Sequence, residues 1–137
     1  GVAPDTVVVE KCNVNNCRTG VGIIADDVVT KVIVDSCNFT NCVKSAIECA
    51  LDGMDIQVTH CTFSCGQQST IEAQLVYLSR EYYSDKRSKV LFEHNVVGDA
   101  SYYSTGMLVD ATNAVVRNNY FYGNGIGGFH SEGYAFR

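Results

Sequence analysis

Apolar and polar residues alternate at single-residue spacing in a phrase that this chain repeats. In "VVVEKCNVNNC", Val7 and Val9 alternate with Val8 and Glu10. In "VIVDSCNFTNC", Val32 and Val34 alternate with Ile33 and Asp35. A period of two places one set of side chains on one face, which predicts short strands with an inward side. A third copy, "IQVTHCTFSCG", begins at Ile56. Two more follow with asparagine in the first cysteine slot, "VLFEHNVVGDA" from Val90 and "AVVRNNYFYGN" from Ala114. The copies start at 7, 32, 56, 90 and 114, so four of them keep a turn of 24 or 25 residues. The long step marks an insertion, placed at 67–89.

A second apolar stretch follows each of the first four phrases: "VGIIA", "SAIECAL", "AQLVYL" and "TGMLVD". Glycine and Asx residues punctuate the gaps, as bends require. No capped helical pattern of three turns is present. Val and Ile together number 26 against 7 for Leu and Met, and β-branched side chains favour strands. One such repeat cannot bury its inner face alone, whereas stacked copies can, so the pattern predicts a solenoid.

The phrase V-x-V-x-x-C-x-[VF]-x-x-C, and "AVVRNNYFYGN" above all, resembles the coil of the right-handed parallel β-helix in the pectate-lyase-like superfamily. The resemblance covers Val7 to about Gly128. It implies an all-β, right-handed, single-stranded parallel β-helix solenoid of about five coils of about 24 residues, with 1–137 as one segment. A leucine-rich repeat is the alternative, since its core also fits Val32, Val34, Cys37 and Phe39. The shortage of leucine and the strand-like second segment count against it, and a helix after Cys42 would restore it.

Cys12, Cys37, Cys61, Asn95 and Asn119 occupy one slot. In β-helices that this chain resembles, asparagines stack at a bend and each amide bonds the next coil. Cysteine is small and readily buried, so Cys12, Cys37 and Cys61 are expected to stack there buried and reduced. Cys17 and Cys42 form a second column, with Cys65 one residue out of step and Cys49 alone. Disulfides between coils are the second reading of these seven cysteines. The zinc signal is weak, because no C-x-x-C pairs with another. A free-thiol ladder points to folding in a reducing environment.

Net charge is −5, which argues against a nucleic-acid partner. No run of about 18 apolar residues exists to cross a membrane as a helix, and no leader pattern opens the chain. The candidate chemistry lies in two "YYS" stretches. Tyr82, Tyr83, Tyr102 and Tyr103 offer flat faces and hydroxyls to sugars, and Arg80 and Arg87 offer charge to uronate or sialate carboxylates. Asp26 and Asp27 echo the paired carboxylates of glycoside hydrolysis, although the flanking motifs of polygalacturonase-like enzymes are missing. With Asp52 and Asp55 they make a carboxylate column for which Ca²⁺ is the one cofactor to consider. His60 and His94 fall on equivalent positions and are expected to be neighbours in an outward turn column, with a two-His site as the sharper alternative. "NFT" at Asn38 is a formal glycosylation triplet inside a coil.

These observations, with the resemblance, lead to a carbohydrate-directed β-helix domain: a polysaccharide lyase, hydrolase or tailspike segment. The partner is then a polysaccharide, and flanking domains or further copies cap the coil ends. The expected setting is secreted, cell-surface or virion-associated. A non-catalytic adhesin or spike segment is the alternative.

Overall fold

The computed structural model describes residues 5–23, 29–42, 44–50, 53–64, 74–79, 88–98, 105–109, 113–122 and 127–131. The first coil is β1 (Thr6–Glu10), β2 (Asn13–Asn15) and β3 (Thr19–Ile23); the second is β4 (Lys31–Asp35), β5 (Asn38–Thr40) and β6 (Ser45–Ala50). The third is β7 (Asp55–Thr59), β8 (Thr62–Ser64) and β9 (Gln74–Ser79), and the fourth is β10 (Lys89–Glu93), β11 (Val96–Gly98) and β12 (Thr105–Val109). β13 (Asn113–Arg117), β14 (Tyr120–Tyr122) and β15 (Gly127–Ser131) complete the fifth.

Equivalent strands pair in parallel into three five-stranded sheets. The first sheet runs β1-β4-β7-β10-β13, the second β2-β5-β8-β11-β14 and the third β3-β6-β9-β12-β15. The register of the first sheet is the repeat itself: Val7 pairs Val32, Val32 pairs Ile56, Ile56 pairs Val90, and Val90 pairs Ala114. Strand, not helix, follows Cys42, because Ser45–Ala50 is β6, so the leucine-rich alternative fails. β9 lies within the long step yet keeps register with β6 and β12. The extra length therefore falls on either side of it.

The core is a stack of inward columns. Val9, Val34, Val58, Phe92 and Val116 share one column. Val34, Val58 and Phe92 are fully buried, while Val9 and Val116 in the end coils are only partly covered. The facing column of the second sheet is Val14, Phe39, Phe63, Val97 and Phe121. The second, third and fifth coils pair a valine from the first sheet with a phenylalanine from the second. The fourth reverses them, with Phe92 and Val97. The rings still form one run: Phe39 on Phe63 at 5.1 Å, Phe63 on Phe92 at 6.0 Å, and Phe92 on Phe121 at 6.4 Å between centroids. Volume is conserved although position is not, which packed cores tolerate best.

Two sharp bends shape the first two coils, and the first of these bends recurs in all five. Between the first and second sheets, Lys11, Ser36, His60, His94 and Asn118 all take left-handed backbone, with φ between 53° and 57°. A left-handed conformation costs a non-glycine residue about 1–2 kcal/mol. Backbone hydrogen bonds continue through this bend between the first four coils and offset that strain. Lys11 N–H donates to the Asp35 carbonyl and Ser36 N–H to that of Thr59, each at 3.0 Å, and His60 N–H to that of Glu93 at 3.3 Å. Asn16 and Asn41 repeat the left-handed turn after the second sheet, where Asn41 Nδ2 donates to Asn16 Oδ1 at 3.1 Å. Gly20 fits where the third sheet crosses the core. A Cβ there would lie 2.6 Å from the Ala46 carbonyl oxygen and 2.9 Å from Phe39.

Candidate functional site

The bend residue that follows each left-handed position turns inward and holds the coils together. Asn119 Oδ1 accepts the Asn95 N–H at 2.8 Å, and its Nδ2 donates to the Phe92 carbonyl at 2.8 Å. Asn95 repeats the pattern one coil earlier, on the Cys61 N–H at 2.8 Å and the Val58 carbonyl at 2.9 Å. Cys61 repeats it again as a thiol. Its Sγ accepts the Cys37 N–H at 3.4 Å, and its one S–H is shared between the Val34 carbonyl at 3.6 Å and the Thr59 carbonyl at 3.2 Å. Cys37 Sγ donates to Val9 at 3.5 Å and Asp35 at 3.3 Å. The thiols thus stand in for the amide with both partners, and do more than fill space.

Cys37 and Cys61 are buried and without a disulfide, as expected. Cys12 differs, being exposed. It lies in the first coil, where no further described strand stacks beyond it. Burial pushes the Cys61 thiol up to about 12 and raises that of Cys37. These are structural thiols, since a reactive one needs a lowered pKa and access.

Outside the bend, the stacked columns make a polar surface. The His60 and His94 rings stack 5.3 Å apart and nearly parallel, and both are exposed. Asp35 accepts from Thr59 Oγ1 at 2.6 Å and pairs with His60 Nδ1 at 3.0 Å. Those two contacts, Thr59 first, hold its carboxyl below the usual range. Glu93 is held low by Arg117, whose Nε lies 2.6 Å away. Among the described residues, no three His, Cys, Asp or Glu side chains gather into a metal-holding group. The column therefore presents paired charges on a turn and lacks a third ligand for its two histidines.

The outer face of the first sheet has a shallow hollow of about 200 Å³, lined by Asp55, Gln57, Lys89, Leu91, Asn113 and Val115. Lys31, Asp55 and Lys89 are register neighbours there and alternate in charge.

The outer face of the second sheet is different. Its positions are Asn13, Asn38, Thr62, Val96 and Tyr120 in one column, and Asn15, Thr40, Ser64, Gly98 and Tyr122 in the next. None is charged. Thr40 Oγ1 donates to Asn15 Oδ1 at 2.9 Å. Tyr120 and Tyr122 stack with centroids 5.5 Å apart, and are 64% and 38% exposed. Tyr122 lies flat across Gly98, where a Cβ would fall 2.2 Å from its ring. Gly98 thereby sets the ring down on the sheet. A fixed aromatic pair at the end of a neutral hydrogen-bonding face can stack a ring-shaped polar ligand and bond its hydroxyls.

This shelf was legible but unread. In "YFY", period two places Tyr120 and Tyr122 outward once Phe121 is inward. The sequence candidates Arg80, Tyr82, Tyr83, Arg87, Tyr102 and Tyr103 lie outside the described residues, as do Asp26, Asp27, Asp52 and Cys65. Asp55 is exposed at the start of β7. Asn38 lies inside a coil, in β5, yet points outward and is exposed.

Three parallel sheets, a stacked bend ladder and a turn of about 24 residues are the features of one family. A model of the right-handed β-helix region matches residues 3–136. The chain belongs to that family. No curated protein and no solved structure matches it. Membership in the right-handed β-helix family accounts for the coil, the inward columns and the ladder. It leaves function to the outer faces, because folds of this kind carry sites and do not define them.

Proposed function

We propose that this β-helix is carbohydrate-directed, and that it holds an uncharged stretch of polysaccharide on the outer face of the second sheet. One observation carries the proposal: Tyr120 and Tyr122 form a stacked, exposed shelf over Gly98 beside neutral side chains. Sugar rings present apolar faces edged by hydroxyls. Tyrosine matches both properties, and amides and hydroxyls such as those of Asn13, Asn38 and Thr62 complete the match without selecting for charge. A polysaccharide ligand also fits the expected surface, secreted or virion setting of the domain.

The test is affinity electrophoresis of the protein against neutral and acidic polysaccharides. Reducing ends and unsaturated products are assayed in parallel for cleavage. A neutral polysaccharide should retard the protein, with little dependence on salt. The double variant Tyr120→Ala, Tyr122→Ala should bind about tenfold more weakly, on the order of 1.4 kcal/mol. Binding restricted to acidic polysaccharides, abolished by salt and indifferent to both tyrosines, would overturn the proposal.

A further inference from the structure

Cys17 and Cys42 lie at the second bend, one coil apart, with their Sγ atoms 3.1 Å from each other. The register leading to them is tight. Asn15 pairs Thr40, and Asn16 and Asn41 take the same left-handed turn immediately before the two cysteines. Congruent bends on strands about 4.8 Å apart put the two Cα atoms inside the range that a disulfide spans. The ladder thiols Cys37 and Cys61 turn toward backbone carbonyls at 3.2–3.6 Å. In this second column the thiols turn toward each other, and Cys42 Sγ also lies 3.9 Å from the Thr40 carbonyl. Access also differs within the pair. Cys42 is fully buried, whereas Cys17 is partly exposed.

We propose that Cys17 and Cys42 are a dithiol that a small-molecule disulfide converts into a bond between the first two coils. The Cys17 thiolate attacks one sulfur of the oxidant, forms a mixed disulfide and releases one small thiol. The Cys42 sulfur then attacks Cys17 Sγ, and its proton passes to the departing small thiolate. The Cys17–Cys42 bond forms, and the second small thiol leaves. Two protein thiols are oxidised and one small disulfide is reduced to two thiols. Exposure assigns the order, since only Cys17 can meet the oxidant. The geometry assigns the closure, since a shift of roughly 1 Å brings the sulfurs to bonding distance. The bond fastens the first coil, whose Val9, Val14 and Val21 are only partly buried, to the fully packed second.

The experiment treats the folded protein with oxidised glutathione, blocks remaining thiols and maps peptides without reduction. The expected product links the peptides of Cys17 and Cys42 and is lighter by two hydrogens. Cys42→Ser should leave glutathione fixed on Cys17. Cys17→Ser should leave Cys42 unmodified while the protein is folded. A wild-type map showing Cys17 unmodified, Cys17 stably carrying glutathione with no link, or Cys42 joined to a different cysteine would overturn the proposal.

Discussion

The bend ladder has two halves that solve one problem with different chemistry. Cys12, Cys37 and Cys61 serve the first three coils, and Asn95 and Asn119 serve the last two. Each half must accept an N–H and supply a donor to a carbonyl in the preceding coil. The amides do so at 2.8–2.9 Å, and the thiols of Cys37 and Cys61 at 3.4–3.6 Å. An amide contributes more when satisfied and costs more when it is not. A thiol makes weaker bonds and is inexpensive to bury. The comparison teaches that this corner demands a small side chain with both donor and acceptor character, at any bond strength.

The largest effect should come from removing the stronger half. Asn95→Ala leaves the Cys61 N–H and the Val58 carbonyl without their buried partner, at about 1–3 kcal/mol each. Urea denaturation should show a loss of about 2–5 kcal/mol. Cys61→Ala should lose only about 1–2 kcal/mol, within the ordinary range for a buried truncation. Equal losses would break the comparison.

Within the ladder, alkali should act on the thiol half alone. Cys61 holds its proton to about 12 in the folded chain, against an ordinary value of 9.0. A raised folded pKa gives stability that is complete below about pH 9 and is lost as pH climbs toward 12. The loss is at most about 1.4 kcal/mol per pH unit for this thiol. Cys49, also pushed to about 12 by burial, adds a parallel loss. Melting curves should therefore fall above about pH 9, and Cys61→Ala should flatten that fall.

Smaller still is the strain just before the ladder. His60→Asn places a residue that tolerates left-handed backbone where histidine now sits. A gain of up to about 1 kcal/mol in denaturant unfolding is expected, set against loss of the Asp35 contact. The smallest effect belongs to Tyr120→Ala, whose ring is exposed. It should move stability by no more than about 0.5 kcal/mol, so any loss of glycan binding in that variant is a loss at the site.

The repeat phase was fully readable because a buried strand face imposes period two and stacking imposes a fixed turn. Val9, Val34, Val58, Phe92 and Val116 follow from those two rules alone. The left-handed bend was not readable from Lys11 or Ser36, which disfavour that backbone and adopt it only because the bonds through the bend outweigh the strain. Cys12 was misread as buried, since residue type reports a preference for burial and not whether a neighbouring coil is present. Tyr120 and Tyr122 escaped notice because "YFY" was used only to match the phenylalanine slot. The contrast between a charged and a neutral outer face emerges only when columns from all five coils are aligned.

The exchange of Phe92 and Val97 across the core carries a genetic consequence. Phe92→Val alone leaves a void, and Val97→Phe alone crowds a filled space, so each change is harmful singly. Made together they restore the pairing used by the second, third and fifth coils, and each suppresses the other. Selection at these two sites therefore acts on their sum, and such sites should drift as a linked pair while neither drifts alone.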